Sequence, residues 1–262
     1  MKRELREISE WQKRPSERRR DGIFVVEGIR MCSEIPLERI ERVVMTESFL
    51  RSHRDLAERF KGSGSPLIIA DETEFQRISD TRTPQGVLAA VRMKPRTEEE
   101  VLSDPKGVYL FLERIQDPGN LGTMLRSAEA ASSAGVLMSP DCCDIYNPKT
   151  VRSTMGSIFR VPFAVSADLR GAAEKLRKSG GKVYAAHLGG AVDYTAMDYR
   201  SMCAFLVGNE AEGLSEELAS ASDQRIRIPM GGQVESLNAS LAATVLLYEA
   251  DRQRRAGSEK VL

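Results

Sequence analysis

The sequence predicts an α/β protein built on a parallel sheet and preceded by a smaller α/β domain. Three observations carry this. The chain has 262 residues, enough for two domains. Apolar, β-branched runs alternate with helical patterns almost throughout, the signature of strands joined by helical crossovers. A polar, proline-bearing stretch interrupts this alternation near residue 100.

In the first part, strands are expected at Ile23–Val26, Arg42–Met45, Pro66–Ala70 and Gly86–Val91. Helices are expected between them, near Ile29–Ile35, Glu47–Phe60 and Glu72–Ser79, with Lys61–Pro66 as a stop and turn. The stretch from Met93 to Lys106 carries two prolines and charges of both signs. The expected organisation is a domain over 1–93, a linker over 94–106 and a second domain over 107–262. The second domain opens with the dense apolar strand Val108–Leu112. It continues with strands Gly135–Met138, Phe159–Val165, Lys182–Ala186, Cys203–Val207 and Arg225–Ile228. Helices over Leu121–Ser133, Leu169–Ser179 and Val234–Arg254 cover its faces.

Composition excludes several classes. With 41% hydrophobic and 29% charged residues, the chain reads as an ordinary globular protein. No apolar run reaches the roughly 18–20 residues that cross a bilayer, so no membrane association is expected. The first twenty residues are charged throughout and lack the apolar centre of a signal peptide, which makes a cytoplasmic protein the expectation. The four cysteines (Cys32, Cys142, Cys143, Cys203) have no C-x-x-C spacing, so reduced thiols are expected and no metal. Of the two histidines, His187 closes an apolar run before Gly189 and reads as a strand-end residue. Net charge is zero, yet residues 1 to 20 hold eight Lys and Arg against four Glu. Such an arm suits phosphate contact, and it equally suits a solvated helix face.

Neither G-x-G-x-x-G after a strand nor a Walker-type loop is present, which argues against a dehydrogenase. Three other loops carry polar residues at strand ends. In Gln116-Asp-Pro-Gly-Asn-Leu-Gly-Thr-Met-Leu-Arg126, Asn120 is placed to cap the following helix. Arg126 lies off that helix's apolar stripe, one turn beyond Gly122. Its plain alternative is a surface arginine paired with Glu129. In Phe205-Leu-Val-Gly208-Asn-Glu210-Ala-Glu-Gly213, two glycines bracket a carboxylate at a strand's C-terminal end, where open α/β sheets take ligands. In Ile228-Pro-Met230-Gly-Gly232-Gln-Val-Glu-Ser236-Leu-Asn238, a double glycine leads into the last helix. Ser236 or Asn238 could cap that helix or meet a ligand, and Leu237, Leu241, Val245 and Tyr248 form its expected core stripe.

In this order the three segments resemble the signature motifs of the SpoU-like (TrmH) RNA methyltransferases, across the whole second domain. The segment Asn147-Pro-Lys149-Thr-Val-Arg152-Ser-Thr-Met-Gly156 looks like a further conserved turn of that family. Phe24-Val-Val-Glu-Gly28 and Thr83-Pro-Gln-Gly86-Val resemble the ribosomal-protein-like substrate-binding domain often fused ahead of it. The resemblance implies a parallel α/β sheet whose C-terminal third is threaded into a deep trefoil knot. It implies transfer of a methyl group from S-adenosylmethionine to a ribose 2′-hydroxyl, in ribosomal RNA rather than transfer RNA, by a homodimer. Gly208, Ile228, Met230 and Leu237 would line the cofactor. Asn120, Arg126, Glu210, Ser236 and Asn238 would form the catalytic set, with Arg126, Lys149 and Arg152 toward RNA. Proposals for the family make the arginine a base. A guanidinium hardly deprotonates in proteins, which favours an electrostatic partner of phosphate and alkoxide instead. A non-catalytic binding protein of the same fold is the other class, and the intact polar residues in all three motifs speak against it.

Overall fold

The computed structural model describes residues 2–189 and 192–258, and these separate into two compact units. The first comprises Met1–Lys94 together with Asp144–Phe159; the second comprises Pro95–Cys143 and Arg160–Leu262.

The first unit begins with α1 (Arg3–Lys13) and α2 (Pro15–Asp21). The basic arm is therefore two helices, and α1 is amphipathic: Leu5, Ile8 and Trp11 are buried against Ile23, Val25, Leu88 and Phe75. The chain continues through β1 (Ile23–Glu27), α3 (Ile29–Ser33), β2 (Ile40–Thr46), α4 (Glu47–Ser52) and α5 (Arg54–Lys61). It closes with β3 (Leu67–Ala70), α6 (Glu72–Ile78) and β4 (Val87–Arg92). One long helix expected over Glu47–Phe60 is two, because the backbone turns out of helix at His53, whose ring stacks on Phe49 at 4.3 Å. Nor is this sheet parallel throughout. Its order is β1-β4-β2-β3, with β4 antiparallel to both β1 and β2 and only β2–β3 parallel. Apolar alternation marks a strand and its buried face; direction comes from tertiary connection, which alternation does not encode.

In the second unit the polar stretch 94–106 holds a short helix, α7 (Glu98–Val101), closed by a Thr97/Glu100 capping box. Its Val101 is 2% exposed and belongs to the second core. Then come β5 (Val108–Leu112), α8 (Pro118–Ala130) and β6 (Gly135–Met138). Here the chain leaves for the first unit, where it forms α9 (Pro148–Ser153) and a 3-10 turn at Ser157–Phe159. It returns as β7 (Phe163–Val165), α10 (Leu169–Lys178), β8 (Lys182–Ala186), the two-residue β9 (Val192–Asp193), β10 (Cys203–Val207), α11 (Glu216–Ala219), β11 (Gln224–Arg227) and α12 (Ala239–Ser258). The strand expected from Phe159 starts only at Phe163: Phe159 itself packs toward Phe24, and Pro162 interrupts the ladder.

The second sheet has the order β7-β6-β5-β10-β8-β11-β9, and every pair is parallel. Strands β5, β6 and β7 run outward in one direction; β10 then enters between β5 and β8, both earlier in the chain. The switch point therefore lies between β5 and β10, and loops meeting there are placed for ligand work. One face buries Tyr109, Phe111, Val183, Ala204 and Leu206 beneath Leu176 and Leu218. The helices α8 and α12 pack together, with Ser127 Oγ 2.7 Å from Thr244 Oγ1.

The last helix departs from expectation. It starts at Ala239, leaving Leu237 in the loop, and it buries Ala243, Leu246, Leu247 and Ala250. Leu241 and Tyr248 are 52% and 45% exposed. The helix carries two apolar stripes at 3.6 spacing, and this chain covers the other one. The four cysteines are free thiols. His187 directly follows β8 and accepts the Gly189 N–H on Nδ1 at 3.0 Å.

Candidate active site

The switch point is organised by hydrogen bonds that join all three loops. After β5 the chain turns at Arg114, whose φ of 54° is in the left-handed region. That conformation is held from both sides. Its N–H donates to Ser139 Oγ at 2.9 Å, and its carbonyl accepts from Asn209 Nδ2 at 2.9 Å. The next residues point their N–H groups at one carboxylate: Gln116 N donates to Glu210 Oε2 and Asp117 N to Oε1, both at 3.2 Å. Asp117 also caps α8 by accepting the Asn120 N–H at 2.8 Å. Asn120 is therefore not the cap expected for it. Proline fits the first helical position, so the helix starts one residue after Asp117.

Released from capping, the Asn120 side chain forms a bridge. Its Nδ2 donates to Glu210 Oε1 at 2.9 Å, and its Oδ1 accepts from Asn238 Nδ2 at 3.0 Å. Asn238 in turn caps α12, with Oδ1 accepting from Ser240 N at 2.9 Å and from Ser240 Oγ at 2.6 Å. The chain of bonds runs from the start of α12 through two amides to a carboxylate. Only a side chain with both donor and acceptor serves at the middle position. An aspartate at 120 would set a second carboxylate against Glu210. Burial pushes the Glu210 carboxyl up, but the Asn120 amide and the surrounding N–H groups outweigh it and hold the group below its ordinary value. The carboxylate is thus ionised at neutral pH.

Arg126 lies about 1.7 turns further along α8 than Asn120. It is exposed, and among the described residues it makes no hydrogen bond or ion pair. The partner expected for a plain surface role is occupied, since Glu129 pairs with Arg160. Gly122, buried on α8, does not share the exposed side of Arg126. Ser236 is exposed, and the bonded chain does not include it. Lys149 and Arg152 belong to the first unit, on α9, where Arg152 pairs with Asp80 at 2.8 Å. Gly208 directly follows β10. A Cβ there would lie against the Gly213 carbonyl and the Leu214 nitrogen, well inside contact distance. Glycine is needed there because the loop folds back on itself, with an Asn209–Gly213 bridge. Ile228, Met230 and Leu237 are half-buried on the loop between β11 and α12.

The motif reading missed Arg114, Gln116, Asp117 and Asn209. A left-handed Arg114 leaves no mark in composition. Asn209 did leave one: an asparagine after Gly208 is a turn former that binds nearby backbone, and its Oδ1 accepts from Ala211 N and Glu212 N. A cleft of about 430 Å³ opens beside this site, lined by Ser139, Ser166, Asp168 and Ser215. Of its carboxylates, Glu113 is engaged with Ser215, Asp141 with Ser139, and Asp168 with the start of α10. Among the described residues no cluster of His, Cys, Asp and Glu is arranged to hold a metal ion.

Residues 107–248 match the SpoU rRNA Methylase family, and residues 2–89 match the MRM3-like substrate binding domain. The chain is 32% identical over 244 residues to the 23S rRNA (guanosine(2553)-2′-O)-methyltransferase RlmP of Bacillus subtilis, covering 92% of this chain and 94% of that one. It is 34% identical over 180 residues to the 23S rRNA (uridine(2479)-2′-O)-methyltransferase of Streptomyces viridochromogenes, covering 66% and 62%. Among solved structures, it superposes on the SpoU methyltransferase AviRb from S. viridochromogenes in complex with AdoMet, with a TM-score of 0.88. That match has 26% identity and covers 98% of this chain and 99% of that one. An AdoMet-bound rRNA methyltransferase from Sinorhizobium meliloti gives a TM-score of 0.82 at 28% identity, covering 95% and 94%.

Proposed function

The chain belongs to the SpoU rRNA methylase family, and from that membership we propose that it methylates a ribose 2′-hydroxyl of ribosomal RNA, using S-adenosylmethionine. One observation supports the site assignment above others: the Asn238–Asn120–Glu210 chain joins all three motif loops at the switch point of a parallel sheet. The ribosomal substrate is supported by relatives named as 23S rRNA enzymes, and work on such RNA supports a cytoplasmic location. No helix among the described residues is long and apolar enough to cross a membrane.

The residues at this edge fit the cofactor. Ile228, Met230 and Leu237 offer half-buried apolar surface, and the Gly208–Gly213 loop brings backbone close by. When bound, S-adenosylmethionine supplies an electrophilic sulfonium methyl group. The protein's task is to present the ribose hydroxyl in line and to stabilise the charge that develops as its proton leaves. In-line positioning can contribute roughly 7–11 kcal/mol. Arg126, exposed and permanently charged, serves as the clamp on phosphate and alkoxide. Asn120, Glu210 and Asn238 fix the start of α8 that carries it, and Ser236 approaches the ribose from its loop. Lys149 and Arg152 contact RNA phosphate, and the first unit reads the substrate. The strand order, with β10 entering between older strands, supports the trefoil knot.

The exposed Leu241 and Tyr248 of α12, with half-buried Val245 between them, support a homodimer. Full burial of a large apolar side chain is worth about 1.5–3 kcal/mol, and the single chain leaves about half of it unrealised at each of these two positions. Replacing both Leu241 and Tyr248 by Asp is expected to give a monomer in sedimentation equilibrium, with methylation greatly reduced. A dimer unaffected by both changes would locate the interface elsewhere.

The reaction itself is tested with tritiated S-adenosylmethionine and unmodified ribosomal RNA. Label is expected in RNA, in dinucleotides that resist alkali, because a methylated 2′-oxygen cannot attack the neighbouring phosphate. Label released with mononucleotides would place the methyl group on a base instead.

A further inference from the structure

Between β6 and β7 the chain makes a 16-residue excursion, Asp144–Phe159, that packs as part of the first unit. Its anchor is a buried arginine of the N-terminal arm. Arg18 is 1% exposed. Its Nη1 donates to Trp11 O at 2.7 Å and Gln12 O at 3.1 Å, carbonyls in the last turn of α1 that lack helical partners. Its Nη2 reaches Asp144 Oδ2 at 2.6 Å.

Asp144 also shapes the turn that leads into α9. Its Oδ1 accepts from Tyr146 N at 2.9 Å, and its carbonyl accepts from Asn147 N at 2.9 Å and Thr150 Oγ1 at 3.1 Å. A second attachment is aromatic. The Phe24 ring lies 4.9 Å from Tyr146 and 6.2 Å from Phe159, with the Arg39 guanidinium over Phe24 and Phe159 at 5.9 and 5.4 Å. Held this way, α9 packs on β1, buries Pro148, Thr150 and Val151, and leaves Lys149 exposed and Arg152 half-buried.

The outward side of α9 meets a second built loop. The Glu27 carboxylate at the end of β1 accepts from Ser79 Oγ, from Thr81 Oγ1 at 2.8 Å and from Asp80 N at 3.0 Å. This shapes the turn after α6, where exposed Arg82 sits and where Asp80 pairs with Arg152. The Arg152–Asp80 pair thus ties α9 to the turn that carries Arg82, and Lys149 stands three residues before Arg152 on α9.

We propose that Arg18 and Asp144 are positioning residues for RNA docking: their ion pair, with its guanidinium buried and its carboxylate half-buried, holds α9 so that Lys149 and Arg152 act with Arg82 as one phosphate-binding surface. This rests on the RNA-methylating reading above. A buried ion pair adds little net stability over an apolar pair of similar volume, whereas it fixes register strictly, since a displaced carboxylate leaves a buried guanidinium uncompensated. That is the behaviour required of a device that sets where a cationic helix stands.

The test uses the full chain with Asp144→Asn, and with Tyr146→Leu as a variant that loosens the same segment without stranding a charge. Hydrogen exchange is expected to quicken in residues 144–159 while the strands of the second sheet keep their protection. The KM for RNA should rise about tenfold with kcat at saturating RNA little changed, and cofactor affinity by calorimetry should hold. Adding Lys149→Ala and Arg152→Ala to Asp144→Asn should then cost less than it does in the unaltered protein, because their placement is already lost. A folded variant with a loosened segment and an unchanged KM overturns the proposal, as does a loss confined to kcat and cofactor binding. Failure of the unaltered protein to label RNA would overturn the underlying reading, and this one with it, while leaving the exchange result intact. If Asp144→Asn does not fold, Tyr146→Leu decides.

Discussion

Arg126→Ala is expected to lower methyl transfer by about 10²-fold or more, the scale of removing one preorganised electrostatic group from a reacting centre. Stability should hardly move. The side chain is exposed and, among the described residues, makes no hydrogen bond or ion pair, and surface substitutions of that kind usually fall within about 0.5 kcal/mol. Cofactor affinity by calorimetry should also be retained, since the residue is assigned to ribose and phosphate. Arg126→Lys then separates two mechanisms. Lysine keeps the charge but loses the planar, two-pronged contact. Near-dead activity would mark a guanidinium clamp. Substantial activity that rises with pH would mark a base, because an amine releases a proton more readily than a guanidinium. Full activity in Arg126→Ala would remove the residue from the site. The simple surface role would still lack its expected partner, because Glu129 is engaged with Arg160.

How much of the fold and site was legible in the sequence depends on what each signal encodes. The strand cores Val108–Leu112, Gly135–Met138, Lys182–Ala186 and Cys203–Val207 were readable residue for residue, because, apart from the exposed Lys182 that opens β8, the runs are apolar and buried on both faces. Strand direction in the first unit was not, since β4 is antiparallel to its neighbours for reasons of connection. On α12 periodicity found an apolar stripe, but the helix has two, and the pattern does not say which one this chain buries. The motif residues Asn120, Glu210 and Asn238 do come together. Asn120, however, was assigned a cap that Asp117 makes, because Pro118 starts the helix earlier than the apolar stripe does. Arg18 is the clearest reversal: in an arm of alternating charges, nothing local marks the one arginine that folds inward to reach a residue 126 positions away.

That reversal governs the last expected result, for a chain lacking the N-terminal domain. The cut belongs at Pro95. Starting near Ser103 would also remove α7, whose Val101 belongs to the second core. A chain beginning at Pro95 keeps every strand of the second sheet and should still bind S-adenosylmethionine. Its kcat/KM on RNA should fall by about 10²-fold or more, since two charge-assisted contacts at about 1.5–3 kcal/mol each already amount to that factor. A further effect sets this truncation apart from removal of a self-contained module. Residues 144–159 remain in the chain without Arg18, Phe24 or the β1 surface they pack on. Ile145, Val151 and Ile158, each at most 5% exposed in the intact protein, lose cover, and Asp144 loses its counter-charge. The truncated chain should therefore bind an apolar dye such as ANS and associate at concentrations where the full chain does not, even with its sheet intact by circular dichroism. Methylation of natural RNA at the full rate would show that the first unit does not read substrate. A truncated chain that shows no dye binding would show that the excursion finds other cover, and that its attachment to Arg18 does not hold it in place.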